Sequence, residues 1–180
     1  MVDDWTLRVC EVLGDSDVRR SAIDVGGGSI HASADVYVLA DGPRQLRFDL
    51  RYRAEDYRLK TQAIFWRGWF CFGFGGRAIL WREQGAVEID LGCYFDEFVA
   101  GDDYLLATSG RGIVRLAPDG GVVWRNDELG LDGVLIFDIE GDVIDGQGEW
   151  DPPGGWREFL VSLETGDTLE ELPDDQDQDA

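Results

Sequence analysis

The chain reads as all-β: an antiparallel meander of blade-like hairpins, small or open and propeller-like, with a two-sheet β-sandwich as the alternative arrangement. Three observations lead there. No stretch of twelve residues places apolar side chains at i, i+3, i+4 and i+7, so the helical period is missing. Several segments alternate apolar and polar residues with period two. The 24 glycines fall close to the spacing expected for short strands joined by tight turns.

The alternation is cleanest from Gln45 to Arg53. There Leu46, Phe48, Leu50 and Tyr52 point one way and Arg47, Asp49, Arg51 and Arg53 the other, predicting a half-buried antiparallel strand with a charged outer face. Further strands are expected at 64–67, 69–74, 78–82, 87–91, 104–108, 112–116, 122–125, 134–139, 143–145 and 158–163. Asp41-Gly42, Asp119-Gly120 and Thr165-Gly166 each separate two apolar segments, as do Gly75-Gly76 and Gly110-Arg111-Gly112. Glycine at such places is expected to supply the positive φ of a hairpin turn. The first 35 residues fit the pattern worst, with a short helical turn expected within Ser16 to Ser21, broken by Gly26-Gly27-Gly28.

A weak repeat runs through these hairpins. Segments 36–50, 69–91, 104–125 and 149–172 each carry strand, turn and strand around a turn glycine at 42, 85, 120 or 166. Intervals near 40 residues belong to the range of propeller blades, of which this length supplies four at most. The string RLAPDGGVVWR, Arg115 to Arg125 with Trp124 after the Asp-Gly turn, resembles blades of quinoprotein-type propellers.

Length predicts a single all-β domain over 1–169, followed by an acidic, disordered tail over 170–180 that holds six acids and no base. The net charge is −21, from 37 acids against 16 bases, of which only Lys60 is lysine. Such a chain repels nucleic acid and anionic membranes and attracts basic proteins. No run of eighteen apolar residues and no basic-then-apolar leader occurs, so a cytoplasmic protein without a membrane segment is expected. Cys10, Cys71 and Cys93, an odd number among apolar or aromatic neighbours, read as reduced thiols.

No constellation marks catalysis. His31 is the single histidine, which leaves no imidazole-based metal site and no marked nucleophile for it to activate. Gly26 to Gly28 lacks the lysine and the following helix of a phosphate loop. The carboxylate pairs Asp96-Glu97, Asp102-Asp103 and Glu149 with Asp151 are too common in so acidic a chain to define a glycosidase, and no calcium-loop pattern covers 138–151. No catalytic residue, metal site or cofactor is therefore expected, and the protein reads as a binder rather than an enzyme.

The string GEWDPPGGW, residues 148–156, is the most distinctive in the chain. Two prolines fix φ, two glycines permit a reversal, and Trp150 and Trp156 bracket the loop, which suits an interaction loop with aromatic anchors. Together with LGLDGVLIFDIEGDVIDGQG over 129–148, it resembles small bacterial proteins similar to the immunity proteins of polymorphic toxin systems. The resemblance implies a partner-binding role and assigns no residue. The reading is an acidic immunity or inhibitor protein that occludes a basic partner, such as a toxin domain, with Asp96, Glu97, Asp102, Asp103, Trp150, Asp151 and Trp156 as contact residues. The alternative is a propeller-like module for a carbohydrate or small molecule, extending to a carboxylate-dependent enzyme.

Overall fold

The alternating segments pair as hairpins and gather into four sheets of four strands each. The computed structural model describes residues 5–26, 34–151 and 154–171; His31, Gly27, Gly28, Pro152 and Pro153 lie outside them. Sheet one holds β1 (Thr6–Cys10), β2 (Ala22–Val25), β3 (Val36–Asp41) and β4 (Gln45–Leu50). Sheet two holds β5 (Thr61–Trp66), β6 (Trp69–Phe74), β7 (Arg77–Arg82) and β8 (Gly85–Asp90). Sheet three holds β9 (Phe95–Ala100), β10 (Leu105–Ser109), β11 (Ile113–Leu116) and β12 (Val122–Asn126). Sheet four holds β13 (Val134–Glu140), β14 (Val143–Asp151), β15 (Gly155–Ser162) and β16 (Thr168–Glu171). Among the described residues there is no α-helix, only a 3-10 turn at Asp17–Arg19, inside the stretch expected to hold one. The same residues include no helix long and apolar enough to cross a membrane.

The protein is all-β, and its hairpins distribute the repeat one copy to a sheet. The turn glycines at 42, 85, 120 and 166 join β3 to β4, β7 to β8, β11 to β12 and β15 to β16. Three of the four have positive φ, at 151° for Gly85, 92° for Gly120 and 78° for Gly166, whereas Gly42 does not. Gly110 and Gly112 are not left-handed either. They are glycines because a Cβ at Gly112 would overlap the Asn126 carbonyl oxygen, and one at Gly110 would meet the Tyr94 ring.

Sheets two, three and four are antiparallel meanders in chain order, while sheet one has the order β1-β3-β4-β2, with β2 running parallel to β4. That parallel strand corrects the expectation for 45–53. Asp49 and Arg51, expected on a charged outer face, are buried, and β2 lies alongside them with Asp24 in register with Asp49. Arg47 pairs with Asp49 at 2.7 Å and Arg51 with Asp24 at 2.9 Å, so the inner charges are compensated locally. At the other end, β16 reaches Glu171, two residues into the stretch expected as tail, and residues 172–180 lie outside the described residues.

The chain divides into two compact units, Met1–Asp90 and Leu91–Ala180, each containing two sheets that share a core. In the first unit Phe48 of β4 is fully buried against Phe70 and Phe72 of β6 and Trp81 of β7, with ring centroids 4.8–5.1 Å apart. Truncating such a ring costs roughly 3–5 kcal/mol. In the second unit Leu106, Ile113 and Trp124 of sheet three meet Val134, Ile144, Phe159 and Val161 of sheet four. Trp124 fastens the two. Its indole N–H donates to the Leu163 carbonyl at 2.8 Å, and its ring covers Gly166, where a side chain would not fit. The three cysteines are free thiols; Cys71 is fully buried in β6, and burial pushes its thiol pKa up, whereas Cys10 and Cys93 are only half-buried.

Candidate partner-binding site

Charge is unevenly shared between the units. Residues 1–90 carry fourteen acids and twelve bases, whereas residues 91–180 carry twenty-three acids and only four arginines. Four cations cannot pair twenty-three carboxylates in any geometry. The first unit, by contrast, is laced with ion pairs such as Arg20–Asp41, Arg44–Glu83 and Arg53–Glu88.

All seven residues proposed from the sequence fall in the second unit, in two groups on different sheets. Asp96 and Glu97 are consecutive in β9, an edge strand of sheet three, so their side chains leave on opposite faces. The Glu97 backbone is held by Thr108, whose hydroxyl accepts the Glu97 N–H at 3.0 Å. Asp102 and Asp103 are exposed in the turn between β9 and β10. Trp150, Asp151 and Trp156 lie together where β14 meets β15. Both tryptophans are half-buried rather than fully presented. Trp150 occupies a register shift between Glu149 and Asp151, with the Arg157 guanidinium 5.7 Å from its ring. Trp156 pairs with Glu149 across the ladder and lies over Gly133.

The face that carries Trp156 holds residues the sequence reading passed over. In β13 the register shifts between Ile136 and Asp138, leaving Phe137 as an extra residue opposite β14. Before the bulge Val134 and Ile136 pack inward, and after it Ile139 does. Leu135 and Phe137 are turned out, 38% and 58% exposed, and Leu131, ahead of the strand, is 50% exposed. The segment before the strand is fixed, since Leu131 N–H donates to the Glu149 carbonyl at 2.7 Å and the Tyr94 hydroxyl donates to the Asp132 carbonyl. Burial, with the Asp132 charge next in importance, pushes the Tyr94 phenol up to about 12.

Around this apolar strip the outward positions are acidic. Asp138 and Glu140 are exposed on β13, Asp145 is exposed on β14 and Glu158 is exposed on β15, with half-buried Glu149 beside Trp156. Asp138 stands directly opposite Asp145 in the ladder, a like-charge pairing that costs stability. No lysine or arginine occupies an outward position among them, since Arg157 neighbours Trp156 in the strand and so points to the other face. The outer face of sheet four is thus an apolar strip set in carboxylates. Among the described residues no group of three or more histidine, cysteine or carboxylate side chains is placed to hold a metal. The arrangement suits the binding of a cationic surface, by steering at the acids and desolvation at the aromatic and aliphatic anchors.

Fold and site together define an all-β protein of four-stranded sheets whose second unit carries most of the acidic excess. No family model matches the chain, and no curated protein matches it.

Proposed function

We propose that the protein binds a basic protein partner through the outer face of sheet four and occludes that partner's working surface, as an immunity protein occludes a toxin domain. The observation that carries this reading is the set of exposed side chains Leu135 and Phe137 ringed by Asp138, Glu140, Asp145 and Glu158, with no cation on the same face. Exposed phenylalanine and leucine beside half-buried Trp156 supply apolar anchors of the kind that dominate release rates. The surrounding carboxylates, and those of Asp102 and Asp103 on the β9–β10 turn, supply the long-range field. The like-charge Asp138–Asp145 pairing has a use in this reading: a cation from the partner relieves it.

The test is kinetic. The full chain serves as bait at low salt in its source cell, the salt-eluted basic partner is purified, and association and dissociation are measured over a range of ionic strength. The reading expects association to slow steeply with salt, Asp138→Asn with Asp145→Asn to flatten that dependence, and Phe137→Ser to speed dissociation about tenfold or more. An association rate indifferent to salt, or partner binding untouched by all three substitutions, sinks it.

A further inference from the structure

The first unit carries a separate groove whose chemistry the partner-binding reading does not use. Register places Phe65 of β5, Phe70 of β6 and Trp81 of β7 side by side in one row across sheet two. Trp5, ahead of β1, closes the row edge-on to Phe70, with ring centroids 4.8 Å apart. Trp5, Phe65 and Trp81 pack against the core cluster that contains Phe70 but remain half-buried, so part of each lines the groove, while Phe70 is buried. The row ends at the turns between β3 and β4 and between β7 and β8, which contribute Arg44 and Glu83 to the rim. The resulting groove has a volume of about 470 Å³, within the range of small-molecule sites.

We infer that this aromatic groove binds a neutral sugar ring within an oligosaccharide. A pyranose presents C–H groups on its faces and hydroxyls on its edges. Its faces suit the aromatic floor, because the negative face of an aromatic ring attracts polarised C–H groups. Its hydroxyls both donate and accept, which suits a rim that offers both. Arg44 pairs with the Glu83 carboxylate, and the side chain of Gln84 adds an amide beside them. That pairing leaves no net charge at the centre of the rim. The other cation there, Arg82, alternates with Trp81 in β7 and lies over Trp69 on the opposite face, its guanidinium 3.9 Å from the centre of that ring, so its charge is turned away from the aromatic row. The rim therefore favours a neutral ligand over an anionic one. The groove is partly open to solvent rather than enclosed, which leaves room for a chain to continue beyond the bound unit.

The test is NMR titration of the indole N–H signals in the full chain with cellohexaose, chitohexaose and maltohexaose, each up to roughly 10 mM, a range that captures weak millimolar sites. The inference expects at least one of them to shift the Trp5 and Trp81 signals saturably while the other indoles stay put. Glu83→Ala, an exposed turn substitution that leaves the core intact, is expected to weaken that binding about tenfold, and Trp81→Ala to abolish it in protein whose circular dichroism is unchanged. The inference is overturned if none of the three sugars gives saturable shifts at Trp5 and Trp81, or if the shifts persist in Glu83→Ala. It is also overturned if only N-acetyl-tryptophanamide shifts them, which marks the groove as a seat for an aromatic peptide side chain.

Discussion

At the residue scale the most deeply buried charged group among the described residues is Arg77, 1% exposed in β7. Its Nη2 donates to the Arg51 carbonyl at 2.7 Å and to the Asp56 carboxylate at 3.2 Å, while Nε and Nη1 are buried without a hydrogen-bond partner. Burial lowers its pKa, with Asp56 opposing that shift most strongly. Asp56 also accepts the Arg53 N–H at 2.6 Å, so the arginine keys the 51–56 segment to the sheet. Replacing it with methionine strands a buried carboxylate, and Arg77→Met is expected to cost roughly 3–5 kcal/mol in chemical denaturation. Adding Asp56→Asn, which keeps the acceptor and drops the charge, recovers much of that loss. Tyr94 gives a second prediction. Its phenol pKa is raised to about 12 in the fold against about 10 unfolded, so the neutral phenol contributes stability in full below pH 10. That contribution is lost as pH rises through 12, and Tyr94→Phe removes it. Stability measured from pH 9 to 12 is therefore expected to fall more steeply for the native chain than for Tyr94→Phe.

At the element scale β13 decides what the second unit presents, and it does so by its bulge. Phe137 is the residue without a partner, so deleting it restores unbroken alternation: Leu135 out, Ile136 in, Asp138 out, Ile139 in. The deletion is expected to leave stability within about 1 kcal/mol by denaturant titration, because no core side chain changes face. Inserting a glycine between Val134 and Leu135 moves Ile136 outward and is expected to be far costlier. The same bulge explains what could be read in the sequence and what could not. VLIFDIE opens with four consecutive apolar residues, within which the position of a register shift leaves no compositional mark, so the strand was legible and its outer face was not. β6 matches its expected bounds, Trp69–Phe74, because turn residues flank it on both sides. β9 went unread because FDEFVA spaces its phenylalanines three apart and breaks the alternation. β1, an edge strand, offers only five mixed residues. Of the candidate contacts, Trp156 does lie on the face that carries Phe137, while Asp96, Glu97, Asp102 and Asp103 belong to a different sheet, a separation that spacing along the chain does not encode.

At the scale of the whole molecule, the division of charge is the property with the widest consequences, and it stands in the sequence once the unit boundary after Asp90 is known. The first unit has nearly balanced charge; the second has an excess of nineteen acids, part of it in residues 172–180. Mutual repulsion of that size opposes the compact state of the second unit and not of the first. Salt acts on this term directly, because raising ionic strength from 0.01 to 0.15 M shortens the screening length from about 30 to about 8 Å. The ion pairs of the first unit are weakened by the same salt, so the two units are expected to respond in opposite directions or with very different slopes. Hydrogen exchange at the two ionic strengths separates them. Protection of β10, β11, β14 and β15 is expected to rise with salt, while that of β3, β6 and β7 stays level or falls slightly. Thermal unfolding of the second unit is expected to move up by roughly 4–8 °C for each kcal/mol of repulsion relieved, the scale of a domain of this size. On the proposed function, a basic partner seated on sheet four would supply the same relief locally and without salt, and its binding is then expected to protect the same strands at 0.01 M. Equal salt responses in both units would mean that the carboxylates of the second unit are held apart well enough not to repel, and the acidic surface would then lose its proposed role as the driving force for association.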